Sequence, residues 1–130
     1  MGCVGVMRMF PYEKLEVWQE SRKLVRQIYS LTRQFPQEEK YGLVSQINRA
    51  AISVASNIAE GSCRSSLKDQ AHFSQLAFSS LMELSCQLTL AADLQLLSSG
   101  DYATHYSEIK LLANRLNALK RSQLDRQTQR

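Results

Sequence analysis

Between residues 43 and 61, apolar side chains recur every three or four positions, which is the period of a helix that is buried along one side. The apolar residues are Leu43, Ile47, Ala50, Val54 and Ile58. A second stripe on the same segment is polar and has the same spacing, and we call it the polar ridge: Gln46, Arg49, Ser53, Asn57 and Glu60. Because a plain solvated face would carry Lys and Glu, we expect the polar ridge to meet other protein.

The rest of the chain repeats this helical period, and few glycines or prolines interrupt it. We predict helices over about residues 12–34, 37–61 and 67–97, and a fourth that follows an N-cap at Asp101. Gly61 is predicted to end the second helix in the left-handed C′ position, and Ser66 to cap the third. Since short links make neighbouring helices antiparallel, the predicted fold is all-α, an antiparallel up-down-up-down four-helix bundle.

Length and cysteine usage bound the organisation. We expect one domain, with the bundle over residues 10–121, a disordered lead over 1–9 and a frayed polar tail over 122–130. Cys3, Cys63 and Cys86 are odd in number and far apart, which argues against a disulfide framework or a zinc site and favours a reducing cytoplasm. We expect Cys86 to be buried and Cys63 to be exposed. No apolar run approaches the length of a membrane span, so we expect no membrane contact.

The formal net charge of +4 is mild, but basic residues gather on two predicted helix faces. One face of the first helix carries three arginines with a tyrosine between them, and one face of the fourth carries Lys110 and Arg121 with Asn114 and Asn117. Basic residues beside an aromatic ring can hold a phosphate backbone and stack a base, although they are also ordinary on a solvated surface. The candidates for nucleic-acid contact are Arg22, Arg26, Tyr29, Arg33, Lys110 and Arg121.

Catalytic chemistry has little support in the sequence. His72 and His105 fall on different predicted helices, and neither has a partner at the spacing of a zinc-binding HExxH motif. There is no glycine-rich phosphate loop and no repeated Glu-x-x-His arrangement for a di-iron site. We therefore predict no catalytic residues, no metal site and no cofactor.

Three blocks of sequence resemble the family of 23S ribosomal RNA intervening-sequence proteins, from residue 10 to about residue 119. The first is Leu15-Glu16-Val17-Trp18-Gln19, the second runs from Phe35-Pro36 through the polar ridge to Glu60-Gly61, and the third is Phe73 with residues 77–84. The resemblance implies a bacterial, cytoplasmic four-helix bundle that assembles as a ring-like homopentamer and has no assigned catalytic activity. A related protein, the accessory variability determinant of diversity-generating retroelements, shares the architecture and engages a reverse transcriptase and nucleic acid.

Two interpretations of the polar ridge remain open. Its residues can make structural contacts within or between subunits, with Arg49 paired to Glu83, or they can bind a ligand or line a pore. For the whole protein we expect a non-enzymatic oligomeric module that contacts RNA, DNA or a nucleic-acid-handling protein through its basic surfaces. The alternatives are a protein adaptor that binds no nucleic acid and, last, a ligand- or metal-dependent enzyme.

Overall fold

The computed structural model describes residues 10–128, which contain four α-helices and no strand. Two short 3₁₀ helices, Pro11–Lys14 and Gln37–Glu39, precede the first and second α-helices. The predicted all-α four-helix bundle is confirmed, whereas the predicted disordered lead and the last two residues lie outside the described part. The helices are α1 Glu16–Thr32, α2 Leu43–Ser62, α3 Leu67–Asp93 and α4 Ser99–Thr128.

Each helix packs against the next, and α4 also contacts α1. The Ser53 and Ser80 hydroxyls meet at 2.8 Å between α2 and α3. Between α3 and α4, the Thr89 hydroxyl lies 2.9 Å from the Tyr102 hydroxyl, and Lys120 Nζ donates to Gln75 Oε1 at 2.7 Å. The end of α3 therefore meets the start of α4, the start of α3 meets the later part of α4, and α2 and α3 meet near their middles, as in antiparallel packing.

The core follows the predicted apolar stripes, because burying large aliphatic side chains is the main driving force for packing the helices. Its largest buried aliphatic side chains, each less than 2% exposed, are Ile28, Ile47, Leu81, Leu84, Leu88 and Leu116. One expectation for this core was wrong. Cys86 is exposed, because two residues beyond Leu84 a helix has turned about 200°, away from the core.

The first two helices begin later than predicted. Leu15 has an extended backbone, with φ −81° and ψ 127°, so the first turn is a separate 3₁₀ helix and α1 starts at Glu16. After Pro36 the chain forms another 3₁₀ turn, and Gly42 becomes the N-cap of α2 instead of a residue within its first turns. Proline has no backbone N–H to continue a helix, which accounts for the break at residue 36.

Gly61 does not occupy a left-handed C′ position, and this prediction was wrong. It is the penultimate residue of α2, and no glycine in residues 10–128 has a positive φ. A Cβ at Gly61 would lie 2.7 Å from the Cβ of Phe73 on α3. Glycine is needed here because it lets the backbones of two helices approach closely.

The link between α3 and α4 also differs from the prediction. α3 ends at Asp93 in a Schellman motif, in which the Leu96 N–H donates to the Ala91 carbonyl at 2.9 Å and Gln95 has φ 61°. Ser98, not Asp101, caps α4, since its hydroxyl accepts from the Asp101 N–H at 3.1 Å. The Ser66 cap on α3 is confirmed by a 3.0 Å bond from the Asp69 N–H.

The segment predicted to fray continues α4 as far as Thr128. Gln123 is buried against α3, and its Oε1 accepts from the Ser74 hydroxyl at 2.8 Å. A buried polar group that finds its partner costs little, whereas one left without a partner is expensive. This bond therefore anchors the end of α4 to the start of α3.

Candidate nucleic-acid interface

A groove of about 550 Å³ runs between α1 and α2, and we call it the α1–α2 groove. Arg22 and Arg26 line its α1 side together with Trp18 and Val25. The other residues that line it are Tyr12, Ile52, Ala55, Ser56 and Ala59. Two of the residues predicted to contact nucleic acid therefore lie in one concave surface.

The groove is open because the wall formed by α2 carries small side chains. Ala55, Ser56 and Ala59 fall within one and a half turns of helix, opposite the large side chains of α1. Ile52 is the one large apolar residue on this wall, and it is 42% exposed. The result is a channel with an apolar floor and basic residues along one side.

Aromatic contacts hold the end of the groove near the start of α1 in place. The Tyr12 ring meets the Trp18 ring edge-on, with centroids 4.7 Å apart, and the Arg22 guanidinium carbon lies 5.5 Å from the Trp18 centroid. A cation over an aromatic face is attracted by the ring's electrons. Arg22 is thus held beside the groove while its guanidinium remains exposed to solvent.

Further along α1, Tyr29 and Arg33 line a second pocket of about 270 Å³, which we call the corner pocket. It lies where α1 turns into α2, and the other residues around it are Thr32, Phe35, Pro36, Gln37, Lys40, Val44 and Asn48. Since α1 and α2 are antiparallel, the corner pocket continues the line of the α1–α2 groove. The four α1 residues predicted to contact nucleic acid therefore follow one path, about 16 Å from Arg22 to Arg33.

The charge of this path is uniform. No acidic residue of the described part of the chain lines the α1–α2 groove or the corner pocket. Within residues 10–128, Arg22, Arg26 and Arg33 form no ion pair. Their charges are therefore available to an anion from outside.

The opposite side of α1 has a different charge. There a smaller groove against α4, of about 140 Å³, is lined by Glu20 and Glu108, with Lys23 as its one basic residue. Arg115 of α4 is paired with Glu20 and lies 3.6 Å from Glu16, so its charge is neutralised. Of the two grooves that flank α1, only the one shared with α2 presents unpaired arginines together with no carboxylate.

The basic residues of α4 do not join this path. Lys110 and Arg121 are exposed, but α4 faces α1 through Glu108, Leu111 and Leu112, which line the smaller groove. Positions 110 and 121 lie on a different side of the helix from those residues. Within a single chain the two predicted basic sets are therefore separate surfaces.

The polar ridge divides into half-buried and exposed parts. Ser53 bonds to Ser80 on α3, and Asn57 Nδ2 donates to the Ser53 carbonyl at 2.9 Å and lies 3.1 Å from its hydroxyl. Gln46 and Arg49 are exposed, as is Glu60, which pairs with Arg64 at 3.1 Å. In the described part of the chain Arg49 makes no ion pair with Glu83, which accepts from Gln87 Nε2 instead.

The described residues contain no group of three or more His, Cys, Asp or Glu that is arranged to hold a metal ion. His105 Nδ1 lies 3.2 Å from Glu108 Oε1, and His72 stacks edge-on against Phe73.

No helix in residues 10–128 has both the length and the apolar character needed to cross a membrane.

A family model for the 23S rRNA-intervening sequence protein matches residues 13–118. The chain belongs to this family. The match spans the chain from the 3₁₀ turn before α1 to most of α4, so it includes both walls of the α1–α2 groove. Among curated proteins the search finds no match to this member of the intervening-sequence family.

For this family member, the basic face of α1 was found from the sequence, but the wall on α2 was not. The missed residues include Asn48, Ile52, Ala55 and Ala59, which lie on the side of α2 away from the Ser53 contact with α3. The available signal was the run of small residues at positions 55, 56 and 59, which marks a helix face that stays open beside a bulky neighbour.

Proposed function

We propose that this member of the intervening-sequence family is a non-enzymatic, cytoplasmic module that assembles as a homopentamer and binds RNA along the α1–α2 groove. The proposal depends on the path of Arg22, Arg26, Tyr29 and Arg33 along two neighbouring cavities. Within residues 10–128 no acidic residue lines either of them. Arginine binds phosphate oxygens in a bidentate way, which lysine cannot do. Tyr29, half-buried between the arginines, offers a ring on which a base can stack.

The path suits a single strand better than a duplex. The groove is concave and lies between two helices, so it can admit splayed nucleotides but no helical nucleic acid. Each phosphate neutralised by an arginine releases counterions, so affinity should fall as salt is raised. Three arginines give one subunit only a weak site.

Assembly would strengthen that weak site, because repeated copies of a patch act together on one strand. The family resemblance implies a homopentamer, and α3 and α4 carry exposed apolar side chains that suit a subunit contact. Met82, Leu90 and Tyr106 are 39%, 49% and 47% exposed. In a ring, Lys110 and Arg121 of each copy would provide a second set of phosphate contacts beside the groove.

The test is RNA affinity as a function of salt for the double variant Arg22→Glu with Arg26→Glu. We expect affinity at low salt to fall at least about tenfold. The slope of log affinity against log salt should flatten by about 1.4, which corresponds to two lost contacts to single-stranded phosphates. Light scattering on the same samples reports the oligomer mass, which should be that of a pentamer for both proteins.

A matched control is Lys23→Glu with Lys68→Glu, which changes the net charge equally but lies outside the α1–α2 groove. It should leave the salt slope nearly unchanged. If both double variants lose affinity equally, the effect comes from net charge and the groove is not the site.

The alternative function is a protein adaptor that binds no nucleic acid, and it is favoured by the exposed apolar side chains on α3 and α4. It predicts a protein of defined oligomeric mass whose affinity for RNA is undetectable at low salt. Under this alternative, Leu90→Glu should abolish binding of the specific protein partner, whereas Arg22→Glu with Arg26→Glu should leave that binding intact.

A further inference from the structure

The corner pocket differs from the α1–α2 groove in being smaller and in having more polar residues in its lining. Two of its side chains, Arg33 and Lys40, are cationic, and no carboxylate of the described residues lines it. Glu38 and Glu39 are neighbours in sequence, but neither reaches the pocket wall. Its volume of about 270 Å³ is near the lower end of the usual range for small-molecule sites, roughly 300–1,000 Å³.

A hydrogen bond between α1 and α2 fixes the orientation of the Asn48 amide, which is a neutral donor in this pocket. The Thr32 hydroxyl donates to Asn48 Oδ1 at 2.9 Å, and Thr32 itself is 4% exposed. The Asn48 carbonyl oxygen is thereby used, while its Nδ2 makes no hydrogen bond in the described part of the chain. The asparagine, which lines the pocket, therefore keeps two N–H donors that no group in residues 10–128 uses.

Together these residues form a set of donors around one small cavity. Among the residues that line it, Arg33 carries a planar fork, Asn48 an amide and Tyr29 a hydroxyl. Lys40 carries an ammonium, which lies 5.4 Å from the Tyr41 ring centroid and has no ion-pair partner within residues 10–128. A phosphate monoester carries a charge of about −1.5 to −2 at neutral pH and has three strong acceptor oxygens. A backbone diester has one negative charge, so two cations with no carboxylate match the monoester better.

We infer that the corner pocket binds a phosphate monoester through Arg33, Lys40 and Asn48. The monoester can belong to the phosphorylated end of a nucleic-acid strand or to a free nucleotide. With a strand in the α1–α2 groove, its terminal phosphate would lie at the end of the arginine path. That arrangement rests on the proposed function, whereas the monoester site itself does not.

The experiment measures binding of adenosine 5′-monophosphate to the full chain by calorimetry. Adenosine is the unphosphorylated comparison, and sodium chloride is added so that both titrations have the same ionic strength. We expect saturable binding of one nucleotide per subunit and none of adenosine. Arg33→Gln and Lys40→Gln should each weaken binding by about tenfold, since a charged hydrogen bond is lost. Both side chains are exposed, so these changes leave the core intact.

A near-isosteric variant tests the pocket directly. Asn48→Asp keeps an oxygen for the Thr32 hydroxyl but replaces the two donors with a carboxylate that repels the ligand, so binding should vanish. Gln46→Glu adds the same charge on the exposed surface of α2 and should have little effect. Absence of saturable binding to the wild-type chain, or equal losses for Asn48→Asp and Gln46→Glu, would overturn the inference.

A second arm separates the two sources of the monoester. If the strand end is the ligand, an RNA with a 5′- or 3′-terminal phosphate binds more tightly than its dephosphorylated form, and Arg33→Gln removes the difference. If only the free nucleotide shows saturable binding, the ligand is a small molecule. If the chain binds the nucleotide but no RNA, the proposed function is overturned and the corner-pocket site stands. If the chain binds RNA with an affinity that does not depend on a terminal phosphate, and binds no nucleotide, the corner-pocket site is overturned and the proposed function stands.

Discussion

Gly61 sets how closely α2 and α3 approach each other. A Cβ at position 61 would lie 2.7 Å from the Cβ of Phe73, so the absence of a side chain there leaves room for Phe73. Arg64 then stacks over the Phe73 ring, with its guanidinium carbon 4.5 Å from the ring centroid. A glycine in a helix is usually a weakness, but here it permits a contact that no other residue allows.

Gly61→Ala should therefore destabilise the protein. Overpacking costs about 1–3 kcal/mol, while replacing a glycine inside a helix by alanine gains about 1 kcal/mol, so we expect a net loss of about 1 kcal/mol. Thermal and denaturant unfolding measure it. Gly100→Ala is the matched control, because it lies in the first turn of α4 with nothing within 4 Å of the new Cβ. Equal stability of the two variants would show that the α2–α3 contact is not tight.

At the scale of the helices, the end of α3 depends on one unusual residue. Gln95 is the one non-glycine residue with a positive φ in the described part of the chain, and it occupies the C′ position of the Schellman motif. A left-handed conformation costs a residue with a side chain roughly 1–2 kcal/mol, and glycine avoids this cost. The backbone hydrogen bonds of the motif therefore accompany a conformation that glutamine does not favour.

Gln95→Gly should stabilise the protein by up to about 1 kcal/mol, because the relief of left-handed strain exceeds the extra entropy of glycine in the unfolded chain. Gln34→Gly, which follows α1 at a position without a positive φ, should destabilise it slightly. Chemical denaturation of both variants gives the comparison. A loss of stability in Gln95→Gly would contradict the assignment of this residue as the C′ position.

The existence of the helices was predictable and their ends were not. Apolar residues such as Ile47, Val54 and Ile58 recur with the helical period because a buried face requires it, and that requirement is visible within one segment. Helix ends depend on local competition, as at Leu15, where an extended residue separates a 3₁₀ turn from α1. The extension of α4 depends on Ser74, a partner 49 residues away, which no local pattern shows.

The same distinction applies to the site. The row of Arg22, Arg26, Tyr29 and Arg33 belongs to one helix, so its spacing alone could identify it. The wall formed by α2 could not be found in this way, because it depends on how α1 and α2 are aligned. The Thr32–Asn48 bond that orients the corner pocket fixes part of that alignment.

For the whole molecule, the main feature is that the two grooves beside α1 differ in charge. The α1–α2 groove has unpaired arginines and no acidic lining residue among residues 10–128, whereas the groove shared with α4 contains Glu20 and Glu108. Unpaired arginines favour an anion in the first groove, whereas beside the second groove Arg115 is already paired with Glu20. Repetition of this asymmetry around an oligomer would place one basic groove on every subunit.

The most direct measurement uses Trp18, the single tryptophan of the chain, which lines the α1–α2 groove. Its intrinsic fluorescence is recorded while the unmodified protein is titrated with a single-stranded RNA at low salt, and RNA binding is followed in parallel by anisotropy of a labelled strand. We predict a saturable change in Trp18 emission that tracks the anisotropy and is reversed by added salt. Unchanged Trp18 emission while the RNA binds, or no binding at low salt, would contradict RNA recognition in the α1–α2 groove.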